Sequence, residues 1–266
     1  MRRKRDILGS SKKLRRKRII KKLVLVFLLL LFVFSCVTAF FYIPYLRVKK
    51  ISLEGNSSLS TEKILGEVSD YLRGKFFRIF PRDNILLLSK EAIISNLLSK
   101  FPRIEEVSLA KNFPDCITVG IKERQQEAIL CINDSPPAGG CAFIDENGYV
   151  FERAPYFSGD VYLKFFDERG EAQNQLLSEE QFKKLIEFKN LVSRENIKIS
   201  KIILKKEGIY KADISEGWYI LLNEQNEPKI SYENLKITLD SKIKENRQNL
   251  EYIDLHFGNK VFYKFK

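Results

Sequence analysis

Few residues of this sequence have types and spacings that support catalysis. The one histidine, His256, would have to serve any His-based triad, and it lies in a predicted strand. The sequence has no Gly-x-Ser-x-Gly motif to present a nucleophilic serine. Ser60 and Lys63 match the Ser-x-x-Lys spacing of serine enzymes, but the accompanying Lys-Thr-Gly and Ser-Asp-Asn motifs are missing. Ser60 is instead a good helix cap.

The remaining polar patterns indicate solvated surfaces. Glu105-Glu106 and Glu179-Glu180 are sequence neighbours, and neighbouring side chains point apart in a strand or a helix. The sequence contains neither a Gly-rich phosphate loop nor a Cys/His cluster with zinc spacing. We therefore expect a non-enzymatic protein without catalytic residues, cofactor, metal or small-molecule substrate.

The four cysteines allow one disulfide. Cys131 and Cys141 flank the loop "INDSPPAGG", and their thiols would meet if the strands on either side pair. A disulfide requires a location outside the cytoplasm, and two free thiols remain the alternative. Cys36 lies in an apolar run and Cys116 beside a predicted strand.

Positive charge is concentrated at the start of the sequence. Residues 1–22 hold twelve of the 46 Lys and Arg residues and a single acid, Asp6. The other 244 residues carry 34 basic and 33 acidic side chains, so the net charge of +12 describes the tail alone. A general nucleic-acid-binding surface is therefore not expected.

An apolar segment follows the basic tail. Residues 23–43 contain no charge and are followed by Pro44. At ~1.5 Å per helical residue they match the ~30 Å hydrocarbon core of a bilayer, which predicts one transmembrane helix. The basic flank predicts a cytoplasmic N-terminus and an extracytoplasmic body, a single-pass type II topology in the cell membrane. The segment is longer than a signal-peptide core, and "VFSC" is a poor lipoprotein processing site because Phe34 is bulky.

Residues 46–128 form the first predicted domain. "VKKISLEGN" alternates as a strand and ends in a Gly-Asn turn. Helices are predicted after Ser60 or Thr61 and after Ser89. "IEEVSLAKNFPDCITVGIKER" alternates twice around Asn-Phe-Pro-Asp, which predicts two more strands. The predicted order is β-α-α-β-β.

Residues 129–266 form the second predicted domain. "CAFIDENGYVFER" has a hairpin pattern, Ser178 and Gln181 form a capping box, and a helix is expected near Ser231. The strands "KIILKK", "YKADI" and "WYILLN" come before that helix, and "LEYIDLHF" and "KVFYKF" come after it. The predicted class is α+β, a mixed sheet with helices.

These patterns resemble a known family. "VKKISLEGNSSLSTEKIL" and "NILLLSKEAIISNLLSKFPRIEEVSLAKNFPDCITVGIKER" resemble a POTRA domain. A basic tail, one membrane helix, a single POTRA and the closing "YIDLHFGNKVFYK" resemble the FtsQ/DivIB family of cell-division proteins. The sequence departs from that pattern at His256, where arginine is usual, and in "ERQQEA", which lacks a proline.

The resemblance implies a divisome scaffold at the division septum. Its expected partners are the bitopic proteins FtsB/DivIC and FtsL, and its expected role is to help control the septal peptidoglycan synthesis machinery. The resemblance places partner binding in the closing strand region. Its expected contact residues are Tyr252, Asp254, His256, Phe257, Val261 and Tyr263.

Two other classes of protein compete with this interpretation. A POTRA protein of envelope protein assembly or secretion is the alternative, but several POTRA copies or a barrel would be expected and neither appears. A membrane-anchored cell-wall enzyme would need a catalytic set of residues, which the sequence lacks.

Overall fold

The protein forms two compact units. The computed structural model describes residues 2–132, 140–155, 157, 161–170 and 174–266, with side chains from residue 15 onward. The units are Met1–Glu123 and Arg124–Lys266. The second unit's first strand begins at Ala128, five residues after the end of the first unit.

The first unit opens with a long helix, α1 (Arg2–Phe41). Its Arg15–Phe41 part is long and apolar enough to cross a membrane, and α1 is the one helix among the described residues that meets this test. Its apolar side chains are exposed, as expected for a helix that contacts lipid. A short 3-10 turn, Pro44–Leu46, follows.

The rest of the first unit is a three-stranded sheet with two helices. Its elements are β1 (Lys50–Glu54), α2 (Thr61–Leu72), β2 (Lys75–Phe76), β3 (Phe80–Pro81), α3 (Lys90–Lys100), β4 (Ile104–Asn112) and β5 (Cys116–Glu123). The sheet order is β1-β5-β4, with β1 parallel and β4 antiparallel to β5. The predicted β-α-α-β-β order is confirmed. The sequence did not predict the small β2–β3 hairpin.

Helix caps and apolar stripes explain this arrangement. The Ser89 hydroxyl accepts a hydrogen bond from the Ala92 amide at 3.2 Å, as predicted for a cap. Ser60 is the N-cap residue of α2, although its side chain makes no capping hydrogen bond. Apolar residues at helical spacing bury one face of each helix against the sheet: Ile64, Val68 and Leu72 from α2, and Ile93 and Leu97 from α3.

Glu123, at the end of β5, holds the turn before α2. Its Oε1 accepts hydrogen bonds from the backbone amides of Ser57, Ser58 and Leu59 at 2.7, 3.0 and 3.0 Å. The Glu123 side chain is buried. Burial by itself raises the pKa of Glu123, but the three amides and the Ser57 hydroxyl outweigh it and hold that pKa below its ordinary value.

The second unit is a nine-stranded sheet with two helices. Its elements are β6 (Ala128–Cys131), β7 (Cys141–Ile144), β8 (Val150–Ala154), β9 (Leu163–Asp167), α4 (Glu179–Val192), β10 (Ile199–Leu204), β11 (Ile209–Ile214), β12 (Tyr219–Asn223), α5 (Pro228–Thr238), β13 (Leu250–Asp254) and β14 (Phe262–Phe265). The sheet order is β14-β13-β12-β11-β10-β9-β6-β7-β8. The predicted α+β class is confirmed.

The core of this unit lies between one face of the sheet and the helices. Ile202, Ala212, Ile220 and Ile253 from successive strands are fully or almost fully buried there. Phe182, Leu185, Phe188 and Leu235 pack on them from α4 and α5. The capping box predicted at Ser178 and Gln181 is present at the start of α4.

The turn between β7 and β8 is held by one carboxylate. Asp145 Oδ1 accepts hydrogen bonds from the amides of Asn147 and Tyr149, both at 2.9 Å. Gly148 has a φ of 79°, a conformation that favours glycine. The Asp-Glu-Asn-Gly sequence therefore forms the predicted hairpin turn.

The cysteines of the predicted bridge face each other across β6 and β7. Cys131 pairs directly with Cys141, and the structure joins their sulfur atoms. Residues 133–139 of the intervening loop lie outside the described residues. Cys36 and Cys116 are free.

The first prediction concerns Glu123. Glu123→Ala removes the charged acceptor of three partly buried amide hydrogen bonds, so we expect the free energy of unfolding to fall by about 2–3 kcal/mol. Because the folded-state pKa is lowered, this stabilisation is present above the ordinary pKa of 4.5 and is lost as the pH falls through the folded-state pKa. Denaturant unfolding of the chain in detergent, at several pH values, measures both effects. The exposed Glu106→Ala is the matched control, and equal unfolding curves for the two variants would contradict the account.

The second prediction concerns Cys131 and Cys141. We expect the purified chain to be lighter by two hydrogen atoms than its reduced form, and Cys131→Ser to remove that difference. A bridge with a sequence separation of 10 residues contributes about 2–3 kcal/mol in the chain-entropy account. Intact-mass measurement with and without reductant is the test. Alkylation of both thiols without reductant would show that the bridge does not form.

Candidate strand-docking site

Strand β14 lies at one end of the second unit's sheet. It pairs antiparallel with β13 on one side, with Ile253 opposite Tyr263. No other described strand pairs with its second side. All four of its residues are exposed. The β14 edge, residues Phe262–Phe265, is thus a strand with one open side.

The pairing pattern shows which backbone groups of β14 face outward. The amide of Leu255 donates to the Leu221 carbonyl of β12 at 2.9 Å. Backbone groups alternate in direction along a strand, so those of Ile253 also face β12, and those of Tyr252 and Asp254 face β14.

The inward-facing residues of β14 follow from this alternation. Lys264 pairs with Tyr252 and Phe262 pairs with Asp254, so their backbone groups face β13. Those of Tyr263 and Phe265 therefore face the open side. The Lys266 amide fits the same alternation, since it donates inward to the Asn249 carbonyl at 2.8 Å.

Aromatic side chains cover both faces of the β14 edge. The rings of Phe257 and Phe262 meet edge to face with their centroids 5.4 Å apart. On the opposite face, Tyr263 and Phe265 do the same at 5.7 Å. Phe257 and Phe262 are each about half exposed. A strand added to the open side would find apolar surface on both faces.

Tyr252 belongs to a row of side chains on the open face of the sheet. Its ring stacks on Tyr219, the residue opposite it in β12, at a centroid distance of 5.4 Å. Lys264, the residue opposite it in β14, binds the Glu251 carboxylate at 2.6 Å. The hydrogen bond that Lys264 donates to Glu251 raises the pKa of Lys264. Lys264 is therefore a cation at neutral pH.

Asp254 and His256 stabilise the turn between β13 and β14. Asp254 is 8% exposed, and its Oδ1 accepts a hydrogen bond from the His256 amide at 3.0 Å. The same oxygen contacts His256 Nδ1. This position makes Asp254 a support for the turn and leaves little of it for a partner to touch.

The structure corrects the predicted extent of the closing strands. The sequence placed His256 in a strand, but β13 ends at Asp254, so His256 and Phe257 lie in the connecting turn. Asp254 ends the strand because its carboxylate binds the His256 amide, which would otherwise continue the ladder. The Phe257 ring lies 3.5 Å from the His256 ring, measured between centroids.

The remaining predicted residues divide between surface and core. Val261 packs against the core, and Tyr263 lies on the β14 edge. Phe262, Lys264 and Phe265 also line the edge, although the sequence analysis did not select them. Alternation in "KVFYKF" would have indicated Phe265, since it shares a face with Tyr263. Tyr219 could be found only from the strand register.

The described residues offer no metal centre. Among them, no group of three or more His, Cys, Asp or Glu side chains comes together as metal ligands would. The site is a surface of backbone hydrogen-bonding groups and aromatic rings. Such a surface can bind a polypeptide strand.

The chain is similar to known cell-division proteins. Residues 46–124 match the family described as "POTRA domain, FtsQ-type". The chain is similar to the cell division protein FtsQ of Neisseria gonorrhoeae, with 23% identity over 88% of this chain and 86% of that protein. It is also similar to the cell division protein DivIB of Clostridium acetobutylicum, with 31% identity over 48% of this chain and 45% of that protein.

A second DivIB protein, from Clostridium botulinum, is 34% identical over 42% of this chain and 39% of its own length. The apolar helix α1 together with these relatives fits a single-pass membrane protein. The FtsQ-type POTRA unit and the match to FtsQ over most of the chain confirm the resemblance seen in the sequence. Residues 46–124 are thus an FtsQ-type POTRA domain, in a chain that is similar to FtsQ and DivIB cell-division proteins.

Proposed function

We propose that this protein is a non-enzymatic scaffold of the division machinery that holds a bitopic partner of the FtsB/DivIC type by adding one of its strands to β14. The carrying observation is the open side of β14, toward which the backbone groups of Tyr263 and Phe265 face. Backbone hydrogen bonds to an added strand would supply affinity, and the aromatic rings would select its side chains.

The surroundings of β14 support this use of the edge. Edge strands of monomeric proteins are commonly protected by prolines, bulges or inward-pointing charges. Phe262–Phe265 has no proline, and three of its four side chains are aromatic and exposed. Lys264 is the one charge, and Glu251 binds it. An aromatic edge of this kind favours association over solvation.

The anchor sets where this docking takes place. In our proposal the basic residues of the tail hold the N-terminus in the cytoplasm by the positive-inside rule. The part of the first unit that follows α1, and the whole second unit, then lie on the extracytoplasmic side of the membrane at the septum, where septal peptidoglycan is made. FtsL joins through the same assembly, and the scaffold helps to control that synthesis.

The third prediction tests the docking edge. Tyr263→Pro removes an outward N–H while leaving the inward ladder to β13 intact, so we expect partner affinity to fall about tenfold or more. Tyr263→Thr, which keeps the N–H and a strand-favouring side chain, is the matched control and should bind more tightly than the proline variant. Titration with the purified extracytoplasmic part of the organism's own FtsB/DivIC protein measures this.

The same two variants test the function in cells. As the sole copy, Tyr263→Pro should give filaments that fail to divide, and Tyr263→Thr should support division. Side chains are tested by combining Tyr252→Ala with Phe257→Ala, which removes exposed apolar area and should also weaken binding. Unchanged affinity in both the proline variant and this double variant would rule out the β14 edge as the docking site.

A further inference from the structure

The β2–β3 hairpin lies against the end of the membrane helix. The Tyr42 hydroxyl donates to the Ile79 carbonyl, and the rings of Phe41 and Phe80 meet edge to face with centroids 5.7 Å apart. The Asn84 side-chain amide donates to the Phe41 carbonyl at 2.9 Å. The hairpin and α1 belong to the same compact unit, so these contacts fix one against the other.

These contacts set the depth of the hairpin relative to a bilayer. Phe41 and Tyr42 lie at the end of the uncharged segment 23–43. Where that segment spans the ~30 Å hydrocarbon core, they lie at its boundary with the head groups. Aromatic residues concentrate in this layer, because they present an apolar ring and a polar edge. Ile79 and Phe80, in contact with them, lie in the same layer.

The hairpin exposes the residue types that such a layer binds. Phe77 is 90% exposed and Ile79 is 41% exposed. Lys75 and Arg78 on the same hairpin are exposed cations. Transfer of an exposed phenylalanine side chain from water to an apolar layer is favourable. Each Lys or Arg near an anionic leaflet adds electrostatic attraction.

The backbone of the turn supplies an independent observation. Phe77 and Arg78 have φ values of 48° and 60°, and the Ile79 amide closes the turn on the Phe76 carbonyl at 3.0 Å. Asn-Gly or Gly-Gly would fit such a turn without strain. A bulky residue in this region is strained, and such strain clusters at functional positions. The strained tip thus supports a function for its side chains.

We propose that the Lys75–Pro81 hairpin is a second membrane contact, in which Phe77 and Ile79 enter the outer boundary of the bilayer and Lys75 and Arg78 bind lipid phosphates. The occupant is the lipid surface itself, because the hairpin is fixed beside the residues where the span ends. The contact would hold the first unit at a set orientation to the membrane. It depends on the span and not on any division partner.

The test uses the full chain in lipid nanodiscs that contain no other protein. Phe77→Trp places a reporter at an exposed tip, and the unsubstituted chain gives the background emission of Trp218. We expect the added emission to shift to the blue and to be quenched several-fold by lipids brominated near the head groups. Emission typical of water and no quenching would overturn the proposal, and would leave Phe77 free for a protein partner.

Leu98→Trp is the matched control. Leu98 is exposed near the end of α3. The chain continues from that end of α3 into β4 at Ile104, which pairs with Glu123 at the end of β5. The start of β1, which follows the membrane helix, pairs with Cys116 at the other end of β5. The eight residues of β5 extend about 25 Å at ~3.3 Å per residue. We expect no quenching at Leu98→Trp, and equal quenching at both sites would overturn the assignment to the hairpin.

A second variant tests the charged part of the contact. In nanodiscs that hold the Phe77→Trp variant, the reporter should lie deeper in the bilayer, and be quenched more strongly, with anionic lipid than with neutral lipid alone. Adding Lys75→Ser and Arg78→Ser should abolish that difference. The Phe77→Trp reporter should remain quenched, because its own ring and Ile79 still enter the bilayer. A lipid-charge effect that survives both serine substitutions would contradict the role given to these two cations.

Discussion

A strand at the edge of a sheet makes backbone hydrogen bonds on one side only, and β14 is in this position. Its side chains bury little area, so its place depends on the ladder to β13 and on the Lys264–Glu251 ion pair. An added strand would satisfy its outward amides and cover aromatic surface at the same time. The rest of the second unit supports this edge, since α4 and α5 pack on one face of the sheet in which β14 is the last strand.

In both units, carboxylate side chains fix turns by accepting hydrogen bonds from backbone amides. In the first unit, one buried carboxylate, Glu123, gathers three amides and fixes the turn that starts α2. In the second, Asp145 and Asp254 each bind a nearby amide and shape the turns that follow β7 and β13. Short acidic side chains compete well for backbone amides, which is why they recur at the ends of these strands.

Much of the fold could be predicted from short-range sequence patterns. Ser89, the Ser178–Gln181 capping box and the Asp145–Gly148 turn are recognisable because each acts within four residues. The charge run and the uncharged segment 23–43 indicated α1 for a similar reason.

Strand order could not be predicted from such patterns, because β9 pairs with β6 and β10 across long stretches of chain. The family resemblance directed attention to the closing strands, where docking remains a proposal, and Asp254 could not be recognised as a turn support without its contacts. The β2–β3 hairpin was missed because its turn holds Phe77 and Arg78 where glycine or asparagine is expected.

The most direct test of the account is amide hydrogen exchange along β14, measured residue by residue with and without the FtsB/DivIC-type partner. Strand addition predicts that the amides of Tyr263 and Phe265 exchange quickly in the free protein and become protected when the partner binds. The amides of Phe262 and Lys264 face β13 and should change much less. Binding that leaves Tyr263 and Phe265 exchanging at their free rates would contradict the central claim.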